Sequence, residues 1–181
     1  MKKLSIIGSI VFLLVVCGTL TSANAVTITM EFTAVEFTDL GGGWGAPSDP
    51  ISGTFTWEAA SVNDYIDSLT SVELTVAGHV YELADVGFTS PFGPDWDIIY
   101  GSPGEGVSSG SDDFWLRWDR NTLEPFDFVY STQTASGIWQ SQTFTYFSVT
   151  EGAPVPEPTT ILLLGTGLVG LVGFGRKKFK N

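Results

Sequence analysis

Cysteine is almost missing from this sequence and lysine is missing from residues 4–176, and the scarcity of cysteine excludes several kinds of site. The only cysteine among the 181 residues is Cys17, in the apolar N-terminal segment. The rest of the chain therefore has no thiol for a disulfide, a thiolate metal site or a cysteine nucleophile. No lysine lies between Lys3 and Lys177. A domain in this interval has to be stabilised by its core.

Positive charge of any kind is scarce between the two ends of the chain. Residues 26–155 contain two arginines, Arg117 and Arg120, against nineteen acidic residues, which is a net charge of −17. Such a surface repels the phosphates of nucleic acids and anionic lipid headgroups, so nucleic acid is excluded as a partner. His79 is the only histidine. A lone imidazole beside a turn is typical of a surface residue, and no catalytic residue is predicted.

The first 25 residues have the three parts of a secretory signal peptide. Lys2 and Lys3 provide a basic start, an apolar run covers residues 4–16, and Ala23-Asn24-Ala25 forms a small-residue cleavage site. We predict a helical signal that directs Sec-type export and is cleaved after Ala25, with Ala23 and Ala25 as the residues that the peptidase reads.

Residues 154–181 contain a proline pair, an apolar run and a basic end. The motif Val155-Pro156-Glu157-Pro158 has prolines one residue apart, which oppose helix and sheet and predict an exposed linker. Residues 159–175 are the predicted transmembrane helix, although the uncharged run 161–175 would be only about 22 Å long as a helix. Residues 176–181 act as a stop-transfer signal on the cytoplasmic side of the inner membrane. Its basic residues are Arg176, Lys177, Lys178 and Lys180.

In order, spacing and position at the chain end, these residues resemble the PEP-CTERM sorting signal of Gram-negative bacteria. The resemblance covers about residues 154–181. It implies that exosortase, an integral-membrane transpeptidase-like enzyme, recognises Pro156, Glu157 and Pro158 and processes the chain nearby. It also implies membrane anchoring first, then delivery to the cell surface or extracellular matrix, where such proteins accompany exopolysaccharide and biofilm. The resemblance leaves the activity of the middle domain open.

Residues 26–153 are predicted to form one acidic, all-β domain. Apolar and polar residues alternate with period two in most segments, and Gly, Pro, Asp or Ser separate the segments. This pattern predicts an antiparallel β-sandwich of jelly-roll or immunoglobulin-like type, with a hairpin at Gly78 and at most one helical turn within 61–69. The predicted strands are 26–32, 51–57, 72–76, 79–83, 86–88, 96–101, 114–118, 126–130 and 144–149.

Three functions for this domain fit the sequence. The leading hypothesis is a non-enzymatic matrix protein that contacts polysaccharide through Trp115 and Trp118, whose odd spacing turns one of them outward from a regular strand. The first alternative is a secreted polysaccharide hydrolase with paired aspartates, and the second is a protein-binding adhesin. No cofactor is predicted; calcium is the one candidate, because carboxylates cluster locally without an EF-hand pattern. The candidate calcium ligands are Asp95, Asp97, Asp112 and Asp113.

Overall fold

The computed structural model describes residues 25–41, 43, 45–101, 104–153 and 165–167. Ala25–Val155 forms one compact unit. Nearly all of the predicted signal peptide, and all of the sorting motif and the basic end, lie outside the described residues. Of the predicted transmembrane segment, only residues 165–167 are described, and they are helical. Among the described residues, no helix is both long and apolar enough to cross a bilayer.

The described part of the unit contains eleven strands and one short 3₁₀ turn, Leu83–Asp85. The alternation of apolar and polar residues produces the strands as predicted: in β1 every second side chain, from Val26 to Ala34, is buried. The strands are β1 Val26–Val35, β2 Thr38–Asp39, β3 Ile51–Ala59, β4 Ser68–Val76, β5 His79–Tyr81, β6 Val86–Thr89, β7 Trp96–Gly101, β8 Asp113–Asp119, β9 Glu124–Thr132, β10 Ala135–Ser141 and β11 Thr143–Glu151.

All strand pairs are antiparallel, and the strands form two packed sheets. One sheet has the order β11-β1-β3-β4-β5, and the other has the order β2-β10-β9-β8-β7-β6. The predicted two-sheet antiparallel sandwich is therefore confirmed. Strands β6 to β10 follow one another as a meander, whereas jelly-roll and immunoglobulin-like sandwiches are built from Greek keys.

The β4–β5 hairpin forms where the sequence predicts it. Val76 pairs with His79, and the two turn residues, Ala77 and Gly78, have φ values of 49° and 86°. Positive φ at both central residues is the requirement of a type I′ turn, which matches the twist of the flanking strands. Residues 61–64 form a hydrogen-bonded turn, in which the Asp64 N–H donates to the Ser61 carbonyl, and no helix follows it.

Four phenylalanines stack at the centre of the sandwich, two from each sheet. Phe32 and Phe55 come from the five-stranded sheet, and Phe114 and Phe128 come from the six-stranded sheet. Their ring centroids are 5.3 to 6.0 Å apart around a closed ring of four contacts. Each is at most 1 % exposed. This phenylalanine quartet joins the two sheets.

Candidate functional site: the aromatic and arginine face of the larger sheet

The outer surface of the six-stranded sheet carries aromatic side chains and an arginine. In β8, Phe114, Leu116 and Trp118 are buried in the core, so alternation directs Trp115 and Arg117 to the opposite, outer side. The odd spacing of Trp115 and Trp118 therefore separates them as expected. Trp118 is 1 % exposed and its ring centroid lies 5.8 Å from that of Trp57, so it is out of reach of a surface ligand.

A β-bulge adds Phe126 to this outer surface. The β8–β9 register pairs Arg117 with Asp127 and Trp118 with Pro125, which leaves Phe126 as the extra residue. Strict alternation would place Phe126 on the core side with Phe128, and the bulge turns it outward instead. Its ring is 42 % exposed and makes an edge contact with Trp96, at 4.5 Å between centroids.

Arg117 lies between two of these rings and is fixed from below. Its Cζ lies 4.9 Å from the centroid of Trp115 and 4.8 Å from that of Phe126. Its Nε donates to Asp127 Oδ1 at 2.7 Å and its Nη2 to Oδ2 at 2.5 Å. Gln140 Nε2 also donates to Asp127 Oδ2, at 2.7 Å. We call Trp96, Trp115, Arg117 and Phe126 the Trp–Arg face.

The Trp–Arg face is packed rather than loosely spread over the sheet. Ile98 and Val129 point to the same side, because their neighbours Ile99, Phe128 and Tyr130 are in the core. Even so, Ile98 is 0 % and Val129 is 2 % exposed. The large side chains of the Trp–Arg face therefore cover Ile98 and Val129. Packing against these two residues limits the movement of the rings and the guanidinium.

The predicted aspartates lie at two ends of this sheet. Asp97 faces Trp118 across the β7–β8 pair, whereas Asp113 begins β8 five residues earlier. At about 3.4 Å per residue this separates them by roughly 17 Å. A glycosidase needs its two carboxyl groups about 5 to 9.5 Å apart. Within the described part of the chain, no group of three or more His, Cys, Asp or Glu side chains is placed to hold a metal ion.

At the first end, Asp95 and Asp97 make structural contacts. Asp97 Oδ1 accepts from Ser90 Oγ at 2.7 Å and from Arg120 Nη1 at 2.8 Å, and Asp97 is 1 % exposed. Burial raises the pKa of Asp97, while Ser90 and Arg120 oppose that shift. Asp95 Oδ1 accepts from Asn121 Nδ2 at 2.9 Å. Both carboxylates therefore tie loops to the sheet.

At the second end, Asp112 and Asp113 lie near His79 and Tyr81 of β5. Asp112 Oδ2 is 3.5 Å from His79 Nδ1, and Asp112 Oδ1 accepts from the Gln133 N–H at 3.1 Å. Asp113 is fully buried, and its Oδ2 accepts from the Ser108 N–H at 3.3 Å. Asp113 Oδ1 and the Tyr81 hydroxyl are both buried without a partner in the described residues. The sequence did not predict that Tyr81 belongs to this cluster, because β5 and this end of β8 are far apart along the chain and only the fold brings them together.

The pKa values of Asp113 and Tyr81 are both raised. Burial raises the pKa of Asp113 to about 6, against the opposing N–H groups of Ser108 and Phe114. The pKa of Tyr81 is also raised, first by burial and then by the negative charges of Asp112, Asp113 and Asp85. The hydroxyl of Tyr81 therefore stays protonated, whereas Asp113 titrates in mildly acidic solution.

We expect Asp113→Asn to stabilise the protein at pH 7.5 but not at pH 4. The folded pKa of Asp113 lies above its unfolded value, so the wild-type protein loses the contribution of this group as the pH rises through about 6. The neutral amide avoids that loss, and the gain at pH 7.5 should be on the order of 2 kcal/mol. Urea unfolding at the two pH values, followed by tryptophan fluorescence, measures it.

The control for this comparison is Asp119→Asn. The carboxylate of Asp119 accepts from backbone N–H groups, led by that of Thr122, and these lower its pKa. Its loss should therefore weaken the protein at pH 7.5 relative to pH 4, which is the opposite sign. Equal effects of the two substitutions would show that Asp113 does not carry an unfavourable buried charge.

The loop before β8 contains a spacing that sequence reasoning passed over. Gly106-Val107-Ser108-Ser109-Gly110 has the G-x-S-x-G pattern of a nucleophile elbow. That motif requires a strand, a sharp turn and a helix, whereas this loop is followed directly by strand β8. Ser108 is exposed, and its Oγ has no hydrogen bond to His79 in the described residues. The loop therefore has the serine of the motif without its structural context.

Comparison with known proteins identifies one segment of the chain. Residues 154–177 match the family model of the PEP-CTERM protein-sorting motif. The match confirms the resemblance of the C-terminal tail and indicates an exported, exosortase-sorted protein that is anchored in the membrane before processing. The match does not extend to residues 26–153, which include the Trp–Arg face. No curated protein matches the chain.

Proposed function

We propose that this exosortase-sorted protein is a non-enzymatic component of the extracellular matrix of a Gram-negative bacterium, where it binds exopolysaccharide in biofilm. The observation that carries this proposal is the Trp–Arg face. It combines one exposed and two partly exposed aromatic residues with a guanidinium, on a domain whose two cationic side chains are Arg117 and Arg120.

The geometry of the face suits a sugar ring. Trp96 and Phe126 meet at 82°, so they form a corner with two apolar walls. The C–H face of a pyranose packs against such a ring, while nearby polar groups fix its orientation through its hydroxyls. Arg117 donates hydrogen bonds to Asp127 from Nε and Nη2, and within the described residues no hydrogen bond uses its Nη1. That nitrogen is the donor for a sugar hydroxyl.

The charge of the domain narrows the polysaccharide class. Residues 26–155 carry a net charge of −17, which repels polyanions such as uronic acid polymers. We therefore expect a neutral exopolysaccharide as ligand. The non-enzymatic assignment is supported by the contacts of the candidate carboxylates: Asp97 is ion-paired with Arg120, and the pairs 95/97 and 112/113 lie at different ends of the sheet.

Delivery to the surface is tested on the intact mass of the protein from its own host. We expect the wild-type chain to lose residues 1–25 and the segment after Pro158, and the second loss to require exosortase. A strain without exosortase should retain a chain that ends at Asn181 in the membrane fraction. A mature chain ending at Asn181 in both strains would contradict processing at the motif.

Binding is tested by affinity electrophoresis through gels that contain neutral polysaccharides extracted from the host matrix. We expect Phe126→Ala and Trp96→Ala each to weaken retention about 5- to 30-fold, since one aromatic contact contributes roughly 1 to 2 kcal/mol. The matched control is Tyr146→Ala, which removes a ring of similar exposure, 49 %, from the outer surface of the other sheet.

Two outcomes contradict the binding proposal. One is wild-type protein that no neutral polysaccharide retards. The other is equal loss of retention for Phe126→Ala and Tyr146→Ala, which would place the contact elsewhere on the domain. Cleavage of the polysaccharide during the run would favour the hydrolase alternative instead.

A further inference from the structure

The four edges of the two sheets are unequal. Three of the four terminal strands are short: β2 has two residues, β6 has four, and β5 has three, which cover only Leu74–Val76 of β4. Short edges are a common protection against pairing with another chain. The fourth edge, β11, has nine residues, Thr143–Glu151. One side of it pairs with β1, and no other described strand pairs with it.

The side of β11 that faces away from β1 carries free backbone groups. The Gly152 N–H donates to the Thr27 carbonyl at 2.7 Å, so the backbone N–H and C=O of Gly152 point toward β1. The direction of the backbone N–H and C=O groups alternates along an antiparallel strand. Those of Thr150, Ser148 and Tyr146 therefore also point toward β1. The N–H and C=O groups of Phe147, Val149 and Glu151 therefore point outward. Their side chains lie on the core side of the sheet, where Phe147 and Val149 are half-buried.

Charge separates this edge from the rest of the domain. Of the nineteen acidic residues in 26–155, only Glu151 lies on β11, at its end. Thr143–Thr150 contains no charge, no proline and no glycine. A second copy carrying a net charge of −17 is repelled over most of the surface, whereas the edge strand itself contributes one acidic side chain, that of Glu151. An antiparallel strand pair is also self-complementary about a two-fold axis, as a closed dimer requires.

We propose that β11 pairs with β11 of a second copy of this chain, forming a continuous ten-stranded sheet across a two-fold axis. A bulge at Thr145, where the β1–β11 register shifts, leaves Tyr146–Glu151 as the regular part of the edge. The axis lies near Ser148. With the axis there, Glu151 of one copy stands opposite Thr145 of the other, so the two carboxylates do not meet.

The test uses two differently tagged copies of the full chain, co-expressed in an exporting host and purified through one tag. We expect wild-type copies to co-purify. Ser148→Lys in both copies, or Ser148→Glu in both, places like charges across the axis and should abolish co-purification. One Ser148→Lys copy with one Ser148→Glu copy should restore it, which also shows that both variants fold. The matched control is Thr54, a half-buried hydroxyl residue on the outer face of the central strand β3, where the same substitutions should have no effect.

Three results would overturn the proposal: wild-type copies that do not co-purify, like-charged copies that still co-purify, or a mixed pair that is not restored. A covalent readout gives an independent answer, because the domain has no cysteine. In a Cys17→Ser background, Ser148→Cys should give a disulfide-linked dimer on a non-reducing gel, and Thr54→Cys should not. Equal crosslinking at both positions would also count against the edge.

Discussion

Replacing Phe128 with alanine is expected to lower the free energy of unfolding by about 3 to 5 kcal/mol. Phe128 is fully buried in the quartet, with Phe32 at 5.3 Å and Phe114 at 5.8 Å between centroids. It also makes an edge contact with Phe37 at 5.9 Å. The cavity would lie between the two sheets. Filling it would require one sheet to move relative to the other, so we expect the cavity to remain. Since domains of this kind are stable by about 5 to 15 kcal/mol, the loss is a large share.

The matched control is Phe126→Ala, two residues away on the same strand. Its ring is 42 % exposed on the Trp–Arg face, so its loss should cost less than about 1 kcal/mol. Guanidinium unfolding followed by tryptophan fluorescence compares the two variants. If Phe126→Ala were the more costly, the bulge would be misplaced and Phe126 would point to the core.

Replacing Arg120 with methionine is expected to cost about 3 to 5 kcal/mol, because it leaves Asp97 buried without its partner. Arg120 is 6 % exposed, and its Cζ lies 4.4 Å from the ring centroid of Tyr65. Without the guanidinium the pKa of Asp97, already raised by burial, rises further. The cost should therefore be greater at neutral than at acidic pH, since a group with a raised folded pKa loses stability as the pH rises through that pKa.

A double-mutant cycle separates the ion pair from the packing. The double variant Arg120→Met, Asp97→Leu removes both charges, and it should recover most of the loss, because an apolar replacement of a buried ion pair is often neutral. Urea unfolding of both single variants and the double variant gives the coupling energy. Losses that simply add would mean that Arg120 and Asp97 do not depend on each other.

Much of the fold is predictable from the sequence because a half-buried strand imposes a period of two. The buried positions of β1, β3 and β8 follow directly from that alternation. The turn at Ala77-Gly78 follows from local conformational preference. Strand β10 was not predicted, since Ala135-Ser136-Gly137 has low β-propensity. It forms because β9 pairs with it and because the Trp139 ring lies over Gly137, where a Cβ would be only 2.6 Å from that ring.

The candidate site was predictable only in part. The outward turn of one tryptophan of the pair Trp115 and Trp118 follows from their spacing, but which one turns inward depends on the register of β8 against its neighbours. The outward position of Phe126 depends on a β-bulge, which the local sequence pattern does not predict. The separation of the aspartates at 95 and 97 from those at 112 and 113 depends on the antiparallel pairing of β7 and β8. The sorting motif could be recognised without knowledge of the fold, because it is defined by the order of residues along the chain.

The pairing of β1 with β11 sets the route by which mechanical load enters the domain. Strand β11 ends at Glu151, shortly before the sorting segment 154–177, and the last bond of the ladder joins Gly152 to Thr27. If the tail is anchored while matrix polymer pulls on the Trp–Arg face, the tension passes from one sheet to the other and then through β11. This strand has one hydrogen-bonded neighbour among the described strands. In a single copy loaded in this way, strand β11 is expected to yield first, while the phenylalanine quartet keeps the rest of the sandwich closed.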